Sequence, residues 1–455
     1  MKRGGSNARQ PKVIPPAVRL LRGGPLAGCG GVGNKSTSSS GSGNSGSLST
    51  QGFGKPDDVG QARIDAFKAA YPNVSLHINE GDFDPQQFLS SVASGNPPDL
   101  VYLDRNLIGS YAAQGALQPL DEELDKVGLD MKSYRQPAAD PCTVNGKVYG
   151  VPEFYNTRNI LINGKALAET GLTSADVATT DWDKLHDTAR KLYKASSRGI
   201  ARIGFDPKLP EFLPLWAKAN GAELVNDDGS PNLDDAKLVE ALGYAHSLIA
   251  EQGGWSKFKA FRDTWDVFGS GNEMVKNQAG AFPWEGWYVN VLVQASPDLD
   301  LQCIHFTDRQ GNPISFCDGS AWCIPKGAKN TETAARWMKT VTSTDTWLKA
   351  AAAREQTATK NNTMFTGLWT ANPDADHQIK DKYVKPSNNP GFDQAVNNYY
   401  ASTEYAFAIK PSKASSEIKT AWTDATNRVL SGTQTPAQAL KQAQGEASTA
   451  FASAK

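Results

Sequence analysis

Apolar and polar positions change period repeatedly from residue 57 to the C-terminus. In DDVGQARIDAFKAAYP, Val59, Ala62, Ala66, Phe67 and Ala70 recur at helical spacing, and Pro72 closes the run. NVSLHIN then alternates Val74, Leu76 and Ile78, which predicts a strand. DPQQFLSSVASG carries Asp84 as N-cap, Pro85 at the first helical position and Gly95 at the end. PDLVYLDRN is an apolar strand running into a charged pair, and LIGSYAAQGALQPL is the next helix. Helices are expected at 182–195 and 233–251, and a mainly helical tail from Thr331. In that tail Ile418, Ala421, Trp422, Ala425, Val429 and Leu430 form one helix face, and Thr435 and Pro436 open a last helix. Helix and strand in alternation predict an α/β fold with a mainly parallel sheet, and 455 residues exceed one core, so two lobes are expected.

In such sheets ligands bind beyond the carboxyl ends of the strands. Asp104 and Arg105 stand at such an end, either as ligand contacts or as a salt bridge and helix cap. Aromatic and polar residues cluster at other predicted loop ends. PEFYNTRN holds Glu153, Tyr155, Asn156 and Arg158; PEFLPLWAKANG holds Glu211 and Trp216; FPWEGW holds Trp284, Glu285 and Trp287; GSAW holds Ser320 and Trp322. A sugar presents an apolar C–H face to a ring and a rim of hydroxyls to carboxylates, amides and guanidinium groups, which is this mix. The alternative for any one of these rings is core packing.

The formal net charge of −1 argues against nucleic acid, which selects a basic stripe. No apolar run is long enough to span a bilayer as a helix. The histidines His77, His186, His246, His305 and His377 are scattered without ligand spacing, and no nucleophile elbow or phosphate loop is present, so neither metal nor cofactor is expected. Carboxylates are abundant enough for a glycoside-hydrolysing pair, but nothing nominates one.

The basic start and the tetrad Leu26-Ala27-Gly28-Cys29 read as an export signal (1–29) with lipidation at Cys29, although Arg19 and Arg22 interrupt the apolar segment. Residues 30–54, rich in Gly, Ser, Thr and Asn, read as a flexible linker. Of the remaining Cys142, Cys303, Cys317 and Cys323, the second and third flank a polar turn in CIHFTDRQGNPISFC, which predicts a hairpin carrying a Cys303–Cys317 disulfide.

With these pieces in order, the chain resembles the extracellular solute-binding proteins of bacterial ABC importers, in particular the carbohydrate-binding family that includes maltose-binding protein. SGNPPDLVYLDRNLIGSYAAQGALQPLDEEL is the most specific stretch; FKAAYPNVSLHI, GKVYGVPEFYNTRNILIN, KNQAGAFPWEGWYVN, GSAWCIPKGAKN and SGTQTPAQALKQAQGEA follow in family order. The resemblance implies a two-lobed, class II-like Venus-flytrap clamp, with 55–155 and 308–352 in lobe 1 and 156–307 and 353–455 in lobe 2. It implies that Asp104 and Arg105 meet sugar hydroxyls and that Trp284 or Trp287, the latter favoured by the family pattern, stacks on the sugar beside Glu285. Trp216 and Trp322 would approach from elsewhere around the cleft. The implied protein is a lipid-anchored monomer on the outer face of the membrane that passes a di- or oligosaccharide to a permease and is not an enzyme. A secreted glycoside hydrolase, a sugar sensor uncoupled from transport, and a clamp for another solute are the rivals.

Overall fold

The computed structural model describes residues 45–454. The expected export signal, Cys29 and residues 30–44 lie outside them. The rest of the expected linker is not a linker. Residues 45–52 form strand β1 (Ser45–Gly52), which pairs in parallel with β2 (Asn73–Asp82) and β3 (Leu100–Asp104). Leu48 is fully buried there and Thr50 and Gln51 nearly so. Ser49 donates from its backbone N and its Oγ to Asp99, at 2.8 and 2.9 Å, so a carboxylate just before β3 satisfies this polar residue inside the sheet.

Lobe 1 is a five-stranded sheet in the order β2-β1-β3-β13-β6, with β13 (Ser320–Cys323) antiparallel to both β3 and β6 (Val151–Pro152). A small hairpin, β4 (Thr143–Val144) and β5 (Lys147–Val148), turns through Asn145 and Gly146, both at positive φ as a two-residue turn requires. Phe67 and Trp337, on helices Asp58–Ala70 and Thr331–Val341, fill the core over the sheet.

Lobe 2 is a second five-stranded sheet, β11-β7-β10-β9-β8. Here β7 (Arg158–Asn163) is buried along its whole length, as a central strand covered on both faces is. It runs antiparallel to β10 (Ala279–Glu285) and to β11 (Leu301–Ile304). Only β10 and β9 (Gly199–Phe205) pair in parallel, and β8 (Lys194–Ser196) returns on β9 as a hairpin. The mainly parallel sheet expected from the sequence is therefore corrected here, where one pairing of four is parallel. A strand that enters from the other lobe, as β7 does, has no crossover helix to impose its direction.

The chain crosses between lobes near 153–158, near 316–320 and after Tyr383. At the first two crossings Asn156 bridges Asp318, and Phe154 bridges Thr370. The pair β12 (Ser315–Phe316) and β14 (Ala406–Phe407) adds a short parallel ladder. Helices Thr344–Lys360 and Pro373–Tyr383 bury Trp347, Ala375 and Ile379 against Val59 of lobe 1, so lobe 1 extends past the expected boundary at 352. Helices Pro390–Ser402, Ser415–Leu430 and Pro436–Ser453 belong to lobe 2.

The polar turn at 308–312 forms, with Asp308 N donating to Asn312 O at 2.9 Å. Its flanks then diverge: Cys303 lies opposite Leu161 in β7, whereas Cys317 leads out of lobe 2. All four described cysteines are free and buried, and the expected Cys303–Cys317 disulfide is absent.

Candidate functional site

The site is built at the carboxyl ends of β9 and β10. Along β10 the residues are buried from Ala279 to Pro283, and the strand opens to partial exposure at Trp284 and Glu285. Antiparallel register sets Arg158, the first residue of β7, directly opposite Glu285. The guanidinium is consequently shared: Nη2 lies 2.6 Å from Glu285 Oε1 and 2.6 Å from Asp318 Oδ2. Trp287, two residues on, donates its indole N–H to the same Glu285. Burial, with the neighbouring Asp318 charge, pushes the Glu285 carboxyl above its ordinary range against the opposing pull of Arg158. For Asp318 burial acts in the same sense but Arg158 prevails and holds the carboxyl low.

Beyond the end of β9, Lys208 adopts the left-handed backbone region at φ 55°. Its ammonium lies 3.2 Å from Asp206 and 3.8, 4.5 and 5.0 Å from the ring centroids of Trp284, Phe282 and Trp265. Strain of this kind is retained where the surroundings fix it, typically at functional sites. Burial lowers the Lys208 pKa, with Asp206 opposing; Lys208 and Arg262 in turn overcome burial and lower that of Asp206.

Of these groups, Arg158, Lys208, Trp265, Trp284, Glu285 and Asp318 wall a cavity of about 700 Å³. Lobe 2 supplies most of it, including Lys208, Glu211, Trp265, Trp284 and Glu285, with Lys419 and Trp422 from helix Ser415–Leu430; Asn106 reaches in from lobe 1 and Asp318 from the crossing. Lys419 also spans the lobes, its Nζ 2.6 Å from Asp104 Oδ2.

Of the residues named from sequence, the cavity gathers Arg158, Glu211, Trp284 and Glu285. Asp104 is beside it, capping Asn106 N at 2.9 Å while pairing with Lys419. Arg105 is turned inward and buried, donating to Phe154 O at 2.6 Å. Ser320 sits on β13 opposite Asp104 and does not line the cavity. Four others are corrected to core. Trp216 is fully buried in lobe 2 and donates to Pro207 O at 2.9 Å. Trp322 and Glu153 are sealed in lobe 1, bonded to each other, with Arg63 2.8 Å from the carboxylate. Tyr155 is fully buried beside them. Trp287 faces a separate pocket of about 110 Å³.

The residues not anticipated were Lys208, Trp265, Asp318, Lys419 and Trp422. For Lys208 a signal existed: GFDPK follows an apolar run, so it lies past a strand end. Trp422 follows the core period of its helix, and no sequence signal separates it from core.

Residues 62–389 match the family model described as bacterial extracellular solute-binding protein. Among curated proteins, the maltodextrin-binding protein MdxE of Bacillus subtilis is 26% identical over 252 residues, 54% of this chain and 57% of that protein. The arabinooligosaccharide-binding protein of Bacillus subtilis is 20% identical over 279 residues, 59% of this chain and 62% of that one. The match thus spans less than two thirds of either curated relative. Among solved structures, CpMnBP1 with mannobiose bound is 26% identical, with a TM-score of 0.72 over 88% of this chain and 99% of that one. An ABC substrate-binding protein from Listeria monocytogenes in complex with cycloalternan shares the fold at 17% identity, with a TM-score of 0.69 over 90% of this chain and 99% of that one.

Proposed function

The chain belongs to the bacterial extracellular solute-binding proteins, with their two-lobed α/β clamp fold, and from that premise we propose that it captures a neutral di- or oligosaccharide between its lobes and delivers it to the permease of an ABC importer. It is a solute-binding protein, not an enzyme. The observation that carries the reading is the partly exposed Trp284, set in a cavity of about 700 Å³ whose charges are largely paired within the protein. Arg158 is matched by Glu285 and Asp318, Lys208 by Asp206, and Lys419 by Asp104. An anionic solute would have to break such a pair, whereas sugar hydroxyls can accept from the cations and donate to the carboxylates without doing so. The volume lies in the usual small-ligand range of roughly 300–1,000 Å³.

A sugar face stacked on one ring buries ~50–100 Å² of apolar surface, worth roughly 1–3 kcal/mol. Each hydrogen bond to a charged group adds about 1.5–3 kcal/mol. Two rings and a few such bonds outweigh the ordering costs and leave a complex near about −8 kcal/mol, in the micromolar range. Closure follows because a ligand touching both lobes favours the state in which they meet. Relatives named for maltodextrin and arabinooligosaccharide, and a solved relative holding mannobiose, support a sugar of this size. Among the described residues no helix is long and apolar enough to cross a membrane, and lipidation at Cys29 would supply the tether.

The test is a titration of intrinsic tryptophan fluorescence in the full chain with mannobiose, maltose, maltotriose, cellobiose, trehalose and common monosaccharides. A saturable change at micromolar sugar without product formation is expected. Silence across the panel from folded protein refutes the reading, and released product would favour a hydrolase.

A further inference from the structure

Beside the cavity the two lobes meet directly. Helix Ile108–Ala113 of lobe 1 docks on the first turn of helix Ser415–Leu430 of lobe 2. Neither N-cap residue, Leu107 or Ala414, gives its helix a side-chain cap. Local groups serve the N–H groups of Ala414 and Ser415, which donate to Ser412 Oγ and Ser412 O, both at 3.2 Å. The next one is served from the other lobe: Ser416 N donates to Ser110 Oγ at 2.9 Å. That hydroxyl in turn donates to Glu417 Oε2 at 2.6 Å, and Ser110 N donates to Ser415 Oγ at 3.2 Å. A serine hydroxyl on a first-turn N–H, with a glutamate at the third helical position, has the parts of a capping box, here divided between lobes. Ser110 is buried at this contact, and Gly109 permits the approach, because a Cβ there would collide with Ser412 O.

The same helix reaches the cavity. Ser415, Lys419 and Trp422 stand at i, i+4 and i+7 and share one face. Lys419 and Trp422 line the cavity, and Lys419 also pairs with Asp104 of lobe 1. We propose that Ser110 is a positioning residue: it caps helix Ser415–Leu430 across the lobe boundary and so couples the placement of Lys419 and Trp422 to the meeting of the lobes. For its effect on the ligand this rests on the carbohydrate reading above. The cap exists only while the two helices are docked, because its groups are shared between lobes. A first turn without its cap frays. Parting of the lobes therefore loosens the turn that leads to Lys419, and docking tightens it again. The cap acts after encounter, so it lengthens the residence of a bound sugar and leaves its rate of association unchanged.

The test compares the full chain with Ser110→Ala, Glu417→Ala, the double variant and Gly109→Ala. Two things are read: amide exchange over residues 412–420 by mass spectrometry, and stopped-flow association and dissociation rates for whichever sugar of the fluorescence panel binds. Loss of a serine cap is worth about fivefold. Ser110→Ala should therefore speed both exchange and dissociation about fivefold, with association unchanged. Glu417→Ala should act in the same direction, and the double variant should do no more than Ser110→Ala alone, because Glu417 acts through that hydroxyl. Gly109→Ala keeps every group of the box but holds the helices apart, and should match Ser110→Ala or exceed it. If Ser110→Ala does not fold, Glu417→Ala, on a partly exposed residue, carries the test. Unchanged exchange overturns the cap, and faster exchange with unchanged dissociation overturns its coupling to the site; both leave the carbohydrate reading intact. Silence across the panel overturns that reading, and exchange then decides the cap by itself.

Discussion

Glu153 and Glu285 are built alike and placed differently. Each accepts the indole N–H of a tryptophan, Trp322 for the first and Trp287 for the second. Each pairs with a buried arginine, Arg63 at 2.8 Å and Arg158 at 2.6 Å. Yet the Glu153 side chain is wholly buried and that of Glu285 is 19% exposed. The cause is where the strands end. Glu153 follows β6, which lies against β13 within the lobe 1 sheet, and Trp322 and Phe53 close over it. Glu285 is the last residue of β10, at a carboxyl edge that no other strand covers. An acid, a tryptophan and an arginine thus make a structural knot inside a sheet and, at its carboxyl edge, a cluster whose acid and arginine line a cavity.

The comparison breaks most readily at its buried member. Glu153→Ala strands the Arg63 charge in the core and should cost about 3–5 kcal/mol of stability in denaturant unfolding. Glu285→Ala leaves Arg158 its Asp318 partner and should cost about 1–2 kcal/mol. Equal losses would erase the distinction.

Two tryptophans sharpen it next. Trp216→Ala empties a core position and is expected to lower stability by about 3–5 kcal/mol. Trp284→Ala should instead weaken sugar binding by roughly 1–3 kcal/mol, about tenfold to a hundredfold, seen by calorimetry. A Trp284→Ala protein that binds as the wild type does would exclude this ring from the site.

The smallest effect is a pH slope. The Glu285 carboxyl is raised above its ordinary 4.5, so the folded state holds a proton that the unfolded chain has released. Its contribution to stability is therefore present below that value and lost as pH rises through the folded pKa. Asp318 is depressed below 3.8, and its contribution is present above that value and lost as pH falls through the folded pKa. Unfolding free energy followed across these windows should rise to a maximum between them, and Glu285→Gln should flatten only the upper limb.

Much of the fold was legible because local rules decided it. Asp84 caps its helix and Pro85 opens it, Thr435 and Gln438 close a capping box, and β2 and β3 lie where the pattern puts them, whereas AGAFPWE, read only as a loop-end cluster, is a strand as far as Glu285. The strand β1 was not legible, because SGSLSTQG has the composition of a linker and becomes a strand only between β2 and β3, where Asp99 satisfies Ser49. The site was half legible for a related reason. The acid–aromatic cluster at Trp284 and Glu285 was visible, but the same signal flagged Trp216 and Trp322, since an indole needs a polar partner for its N–H in core and cleft alike. Lys419 and Trp422 reach the cavity from a helix some 130 residues along the chain, a pairing set by lobe packing and not by any local period.

The most direct test is a crystal structure of the protein with the sugar that gives the strongest fluorescence response. The account predicts a sugar ring stacked on Trp284, with hydroxyls within hydrogen-bond reach of Glu285 and Lys419 and the two lobes closed on it. A sugar bound away from the β10 edge, with Trp284 untouched, would contradict it.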